Sequence, residues 1–246
     1  MFYWFGLLGK GWGFLKSVLM IKTILGNNIE ELQKLELDYS KVIFVTDPPF
    51  NVGYHYNSYS DKMKEADYFK YLAELFKGSK HVIIHYPEDL HRYSIEIGKA
   101  PQKLVSWLYN SNLPKQHRDI AFYDCKPDFS KVGQPYKNPK DKRIRDRVAK
   151  GKLARLYDWW EIQQIKNVNA EKTEHPCQMP YEVMRRIVGI LPKGYTIIDP
   201  FMGSGTTALA CIEYKRDFIG IEMDKKYYDI SNERIKSFQL KLELFN

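Results

Sequence analysis

The tetrapeptide Asp47-Pro48-Pro49-Phe50 follows an apolar run, Val42–Val45. A turn needs Pro or Asp, but it does not need Phe at this place. A carboxylate offers one acceptor oxygen, a carbonyl held by a stiff proline pair offers another, and an aromatic face lies beside them. Whether the stretch is punctuation or chemistry depends on the rest of the chain.

A second group lies near the other end of the chain. Tyr195–Ala210, YTIIDPFMGSGTTALA, reads as strand, turn and helix, with Gly203 and Gly205 allowing a tight turn and close approach of a ligand. The next strand ends at Glu222, 17 residues after Gly205. A carboxylate at about this spacing commonly accepts hydrogen bonds from ribose hydroxyls. The turn is not the GxGxxG phosphate cradle, and it has no Walker lysine. A nucleoside ligand without a pyrophosphate therefore fits better than NAD or ATP, and S-adenosylmethionine is such a ligand.

These groups need a scaffold that presents strand ends. Apolar runs at Ile21–Leu25, Val42–Val45, Val82–His85, Leu104–Tyr109, Ile120–Tyr123, Tyr195–Ile198 and Phe218–Ile221 read as strands. Helical spacing appears near Ile29–Leu35, over Lys64–Lys77, Tyr181–Leu191 and Thr206–Tyr214, and over Lys225–Leu240. The alternation predicts an α/β fold with a doubly wound, mostly parallel sheet, whose ligands sit at the carboxyl ends of the strands.

The 246 residues, 44% hydrophobic, suffice for one large α/β domain. Three scattered cysteines (125, 177 and 211) without CxxC spacing argue against a disulfide framework and a zinc site, and no metal is expected. They suit a reducing, cytoplasmic setting. Residues 1–20 are aromatic-rich, but Lys10, Lys16 and four glycines interrupt them, which disfavours a membrane span or a signal peptide and suggests a packing arm or upstream residues that do little.

The net charge is +8. Lys131–Arg155 holds ten basic residues and two acids, so it accounts for all of it. Charge runs are usually solvated faces. This one is concentrated and seeded with Gly, Pro and Tyr, which favours a nucleic-acid contact through Lys137, Lys140, Lys142, Arg143, Arg145, Arg147, Lys150 and Lys152. The loop NVGYHYNSYSDK offers Tyr54, His55, Tyr56 and Tyr59 either as a lid for packing or as contacts to an extruded base.

Three motifs in this order, DPPF at 47–50, HPCQMP at 175–180 and DPFMGSGT at 199–206, resemble the β-class S-adenosylmethionine-dependent DNA amino-methyltransferases. The resemblance runs from about Ile21 to Ile235. It implies a Rossmann-like class I methyltransferase fold over 1–246, with a target-recognition segment inserted at about 125–160. It implies that Asp47, Pro48, Pro49 and Phe50 carry the amine chemistry on an adenine N6 flipped out of double-stranded DNA. Cofactor-side roles follow for Phe201, Gly203, Ser204, Gly205 and Thr206 in the turn, and for Glu222 and Met223 after it. Asn27, Asp47, His175 and Asp199 complete that set. The family also allows a homodimer and a cognate restriction endonuclease as partners, and it gives no reason to expect a membrane.

The sequence departs from the family at Asn27, where an aspartate is usual, and at Met179, where a lysine is usual. Both changes predict weaker cofactor binding. A cytosine-N4 enzyme with the same machinery, a silent DNA-binding module of this fold, and a methyltransferase acting on RNA or a protein amine are the alternatives. Cytosine C5 chemistry is disfavoured: Pro176–Cys177 has the order of that nucleophile but lies in the HPxQ segment.

Overall fold

The computed structural model describes residues 19–54, 56, 60–166 and 169–244. The expected arm at 1–20 falls outside this range except for Leu19 and Met20, as do His55 and Tyr59. In chain order the elements are β1 (Ile21–Leu25), α1 (Asn28–Lys34), β2 (Val42–Thr46), α2 (Glu65–Leu75), β3 (Lys80–His85), α3 (Pro87–Glu96), β4 (Lys103–Leu108) and β5 (His117–Tyr123). There follow β6 (Gly133–Gln134), α4 (Arg145–Ala149), β7 (Ala154–Arg155), β8 (Trp159–Glu161), α5 (Tyr181–Ile190), β9 (Thr196–Asp199), α6 (Thr206–Glu213), β10 (Phe218–Glu222) and α7 (Lys225–Leu244).

Eight strands form one sheet in the order β1-β10-β9-β2-β3-β5-β4-β8. The run from β1 to β3 is parallel throughout, β5 is antiparallel to both neighbours, and β8 pairs parallel with β4. Every residue of β2, VIFVT, is buried, as a central parallel strand covered on both faces requires. Successive side chains alternate between faces. Ile43 and Val45 join the core beneath α5, α6 and α7, whereas Val42 and Phe44 join the core beneath α1, α2 and α3. Burying each such side chain contributes about 1.5–3 kcal/mol.

Helix α6 is buried almost all round, and its small residues Ala208 and Ala210 let it lie close to the sheet. Helix α3 had no place in the reading of the sequence. Pro87 at its first turn, followed by Glu88 and Asp89, gives it an ordinary helix start. Residues 131–155 form only the two-stranded β6–β7 pair and the short α4, while the flanking Cys125 and Trp160 are buried in the sheet core. Among the described residues no helix is long and apolar enough to cross a membrane.

Candidate active site

Strands β2 and β9 are neighbours, and the chain leaves them in opposite directions: through α2 to β3 from one, through α6 to β10 from the other. Divergent connections open a crevice at the carboxyl edge of a parallel sheet. DPPF follows β2 and DPFMGSG follows β9, so the topology alone brings the two motifs together. They line one cavity of about 400 Å³, within the range of small-molecule sites.

The two halves are bolted through Asp199. Its carboxylate accepts from Thr46 Oγ1 at 3.0 Å, Thr207 Oγ1 at 2.6 Å and the Phe201 N–H at 3.1 Å. Burial pushes it up to about 6 against the pull of these three donors. Asp199 thus lines the cavity while its oxygens brace β2 and α6 against the turn.

Asp47 is differently placed. Its Oδ2 lies 3.6 Å from Arg118 Nη1, whereas its Oδ1 is buried with no hydrogen-bond partner among the described residues. Burial pushes the carboxyl up to about 7; Arg118 opposes this and Asp199 adds to it. A buried acceptor oxygen without a donor, on a residue that lines a cavity, is poised to receive one.

The prolines and Phe50 are held from behind. Tyr68 donates to the Pro49 carbonyl at 2.7 Å, its hydroxyl is 2.9 Å from His85 Nε2, and His85 Nδ1 is 3.1 Å from Asp89 Oδ2. The Phe50 ring sits 4.5 Å from the His85 ring and 5.1 Å from Tyr86. The loop beyond it is clamped at its base, because Asn51 exchanges two hydrogen bonds with the Met63 backbone. Tyr54 and Tyr56 line the cavity from this loop, with rings 5.0 Å apart.

At the glycine turn, φ is 53° at Gly203 and 79° at Gly205, a conformation that favours glycine. The sequence suggested a second reason, close approach of a ligand, and the geometry adds a third. A Cβ on Gly203 would meet His175 Nε2 at 3.0 Å, and one on Gly205 would meet Ser231 Cβ at 3.0 Å. Both therefore point into the protein. Glu222 accepts the Gly203 N–H on one oxygen and the Asp224 N–H on the other, each at 2.8 Å. Arg234 donates to Ser204 Oγ at 2.9 Å and Thr206 Oγ1 at 3.2 Å, so α7 clamps the turn.

The HPCQ segment forms the opposite wall. His175 packs edge-on to Tyr227 at 4.4 Å, and burial, with Lys172 and Arg234 nearby, pushes it down to about 4, which keeps it neutral. Gln178 accepts from the Thr173 N–H at 2.8 Å and donates to the Glu171 carbonyl at 2.6 Å. Met179 is buried, and Lys172 brings an ammonium to the same turn and donates to the His175 carbonyl at 2.5 Å. Asn27 caps α1 by accepting from Ile29 N at 3.0 Å and Glu30 N at 3.3 Å, a task asparagine performs as well as aspartate.

Of the expected cofactor-side residues, Asn27, Asp47, His175, Asp199, Phe201, Gly203, Ser204, Thr206, Glu222 and Met223 line the cavity, and Gly205 does not. Pro48, Pro49 and Phe50 line it too. The eight basic residues singled out in 137–152 do not; all of them are exposed. Arg143 is paired with Asp141 at 2.7 Å, and Lys137 lies 3.7 Å from the Trp159 ring centroid. Arg118, Tyr68, His85 and Asp89 went unnoticed in the sequence. No motif marks them; His85 and Arg118 lie on β3 and β5, Tyr68 on α2 and Asp89 on α3, and only the fold brings them together.

A family model described as "DNA methylase", for N6 and N4 methyltransferases, matches residues 80–233. The orphan methyltransferase M.BamHII of Bacillus amyloliquefaciens is 41% identical over 239 residues, covering 79% of this chain and 88% of that protein. The DNA adenine methyltransferase YhdJ of Escherichia coli K12 is 25% identical over 250 residues, covering 87% of this chain and 82% of the relative. The crystal structure of an M1.HpyAVI–SAM complex shares the fold with a TM-score of 0.56 at 22% identity, over 88% of this chain and 99% of that one.

Proposed function

Because the chain belongs to the DNA methylase family, we propose that it transfers a methyl group from S-adenosylmethionine to the N6 amine of an adenine flipped out of double-stranded DNA. One observation carries the reading: Asp47, whose Oδ1 is buried and has no hydrogen-bond partner among the described residues, lines the same cavity as the glycine turn and Glu222.

The residues present fit the cofactor. The cavity has the volume for it, and each oxygen of Glu222, already accepting one backbone N–H, keeps a lone pair for a ribose hydroxyl. Bound there, S-adenosylmethionine supplies an electrophilic methyl group. The chain's own residues act on the amine, whose lone pair is delocalised into the adenine ring. Asp47 Oδ1 accepts one amine hydrogen and the Pro48 carbonyl the other, which favours a pyramidal nitrogen with its lone pair free. Phe50 offers a face on which the ring stacks. After transfer the nitrogen must shed a proton, and a carboxyl pushed up to about 7 is suited to receive it.

Aspartate at the first motif position favours adenine, and YhdJ is named as an adenine enzyme. The exposed basic stretch in 125–160 would contact phosphates, with its neighbours reading bases. The test is mass spectrometry of nucleosides from methylation-deficient cells that express the protein or Asp47→Ala. N6-methyladenine with the native protein alone is expected. N4-methylcytosine would keep the machinery and change the base, and unmodified DNA from soluble protein would overturn the reading.

A further inference from the structure

Among the described residues, Arg118 is the only lysine or arginine lining the cavity. It is the second residue of β5, whose antiparallel direction brings its beginning to the same edge as the ends of β2 and β3. Four rings surround the guanidinium: Phe50 at 4.4 Å, Trp107 at 5.3 Å, Tyr86 at 5.8 Å and Tyr109 at 5.9 Å from centroid to guanidinium carbon. Its Nη1 lies 3.6 Å from Asp47 Oδ2, and its Nε is buried with no hydrogen-bond partner among the described residues. Aromatic walls hold a cation by its charge without neutralising it. The charge of Arg118 is therefore left for Asp47.

Asp47 needs it. Asp199 faces it from β9, and Tyr109, Tyr56 and Cys177 face it from the end of β4, the loop after Phe50 and the HPCQ wall. Burial pushes those three neighbours upward, so they stay neutral near pH 7. Burial and Asp199 both favour a protonated Asp47, and Arg118 is the group that opposes them. A protonated Asp47 would point an O–H donor where the amine brings its own hydrogens.

We propose that Arg118 is a positioning residue for the methyl transfer: its caged guanidinium keeps Asp47 in the acceptor form, aimed at the place where the target amine must lie. The proposal rests on the reading of the site given above and adds a residue to it. Its test separates the two. The side-chain carboxyl of Asp47 is titrated by NMR in the DNA-free protein carrying 13C-labelled aspartate, with Asp47→Asn to assign the signal. Arg118→Gln should move the Asp47 titration up by a pH unit or more, and Arg118→Lys should leave it near the native position. The methylation rate of Arg118→Gln should fall about fivefold or more at pH 7 and recover toward pH 9, while Arg118→Lys keeps most of it. Should Arg118→Gln fail to fold, Arg118→Met fills the cage with apolar volume and is titrated in its place. An Asp47 titration unchanged on loss of the cation overturns the proposal, as does a rate loss equal at every pH, which a stacking role alone would give. If the native protein methylates nothing, the reading of the site fails, while the carboxyl titration still decides the role of Arg118.

Discussion

Ionising Asp47 works against the fold, and Asp47→Asn should reveal by how much. Burial pushes its carboxyl from 3.8 to about 7, with Arg118 opposing and Asp199 adding to the push. A carboxyl raised on folding contributes stability that is complete below its unfolded value and lost as pH rises through its folded value. About three pH units separate the two states, and at about 1.4 kcal/mol per unit the loss reaches roughly 4 kcal/mol at pH 8. At pH 5, where only the unfolded chain is ionised, it is roughly 1.5–2 kcal/mol. Asparagine has nearly the same shape and does not titrate. It does leave Arg118 without its carboxylate, a cost that does not change between pH 5 and 8. The offset between the two proteins can therefore take either sign, and the slope carries the test. Asp61 and Glu222 are also raised by burial, but they are common to both proteins and cancel, whereas Asp199, which repels Asp47, leaves only its coupling to Asp47 in the difference. Urea unfolding of the ligand-free proteins at constant ionic strength gives the comparison. The stability of Asp47→Asn minus that of the native protein should rise by about 2–3 kcal/mol from pH 5 to pH 8. A flat difference would show that Asp47 titrates as an ordinary exposed aspartate, and the account of the site as a dry, charge-strained clamp would be refuted.

Three further outcomes follow from the geometry. Gly203→Ala forces a side chain into φ 53° and against His175, at a cost of about 1–2 kcal/mol, which should lower the melting temperature by several degrees and weaken cofactor binding in calorimetry. Tyr68→Phe removes the donor to the Pro49 carbonyl while preserving the ring; kcat should fall about tenfold, or about 1.4 kcal/mol, with little change in the circular dichroism spectrum. Replacing Lys142, Arg145, Arg147 and Lys150 by glutamine should flatten the dependence of log K for DNA on log salt, by about 0.9 for each phosphate no longer neutralised, and leave cofactor binding unchanged. An unaltered salt slope would mean that the stretch is only a solvated face.

The scaffold was legible because its signals are local. VIFVT in a row has one comfortable fate, a central strand, and the stripe Val183, Met184, Ile187 and Val188 has another, a helix laid on the sheet. The two motifs were legible for the same reason, since each is a strand end with its turn. Their meeting in one cavity then follows from topology. Long-range partners were less legible. The histidine of HPCQ stands out as part of a motif, but nothing in the chain says that its ring would fill the space a Gly203 side chain needs. Helix α3 escaped because it is mostly polar and only two of its residues, Leu90 and Tyr93, are buried.

Arg118 shows why this gap falls where the chemistry is. A carboxylate placed at a strand end for its acceptor oxygens becomes harder to keep ionised as the site dries, since burial costs the charged form most. The remedy is a cation that does not fill the site. A lysine or arginine within the tetrapeptide would compete for the space the substrate needs, so the charge comes from another strand. Only a strand running the other way can begin at this edge without carrying its own loop over the crevice, and β5 is the strand beside β3 that does so. Rings from β4 and from the residues that follow β2, β3 and β4 then hold the cation at arm's length, close enough to act on Asp47 and too encased to collapse onto it. An antiparallel strand in an otherwise parallel half-sheet is thus part of how the clamp works, and no window of the sequence short enough to read by pattern contains both Asp47 and Arg118.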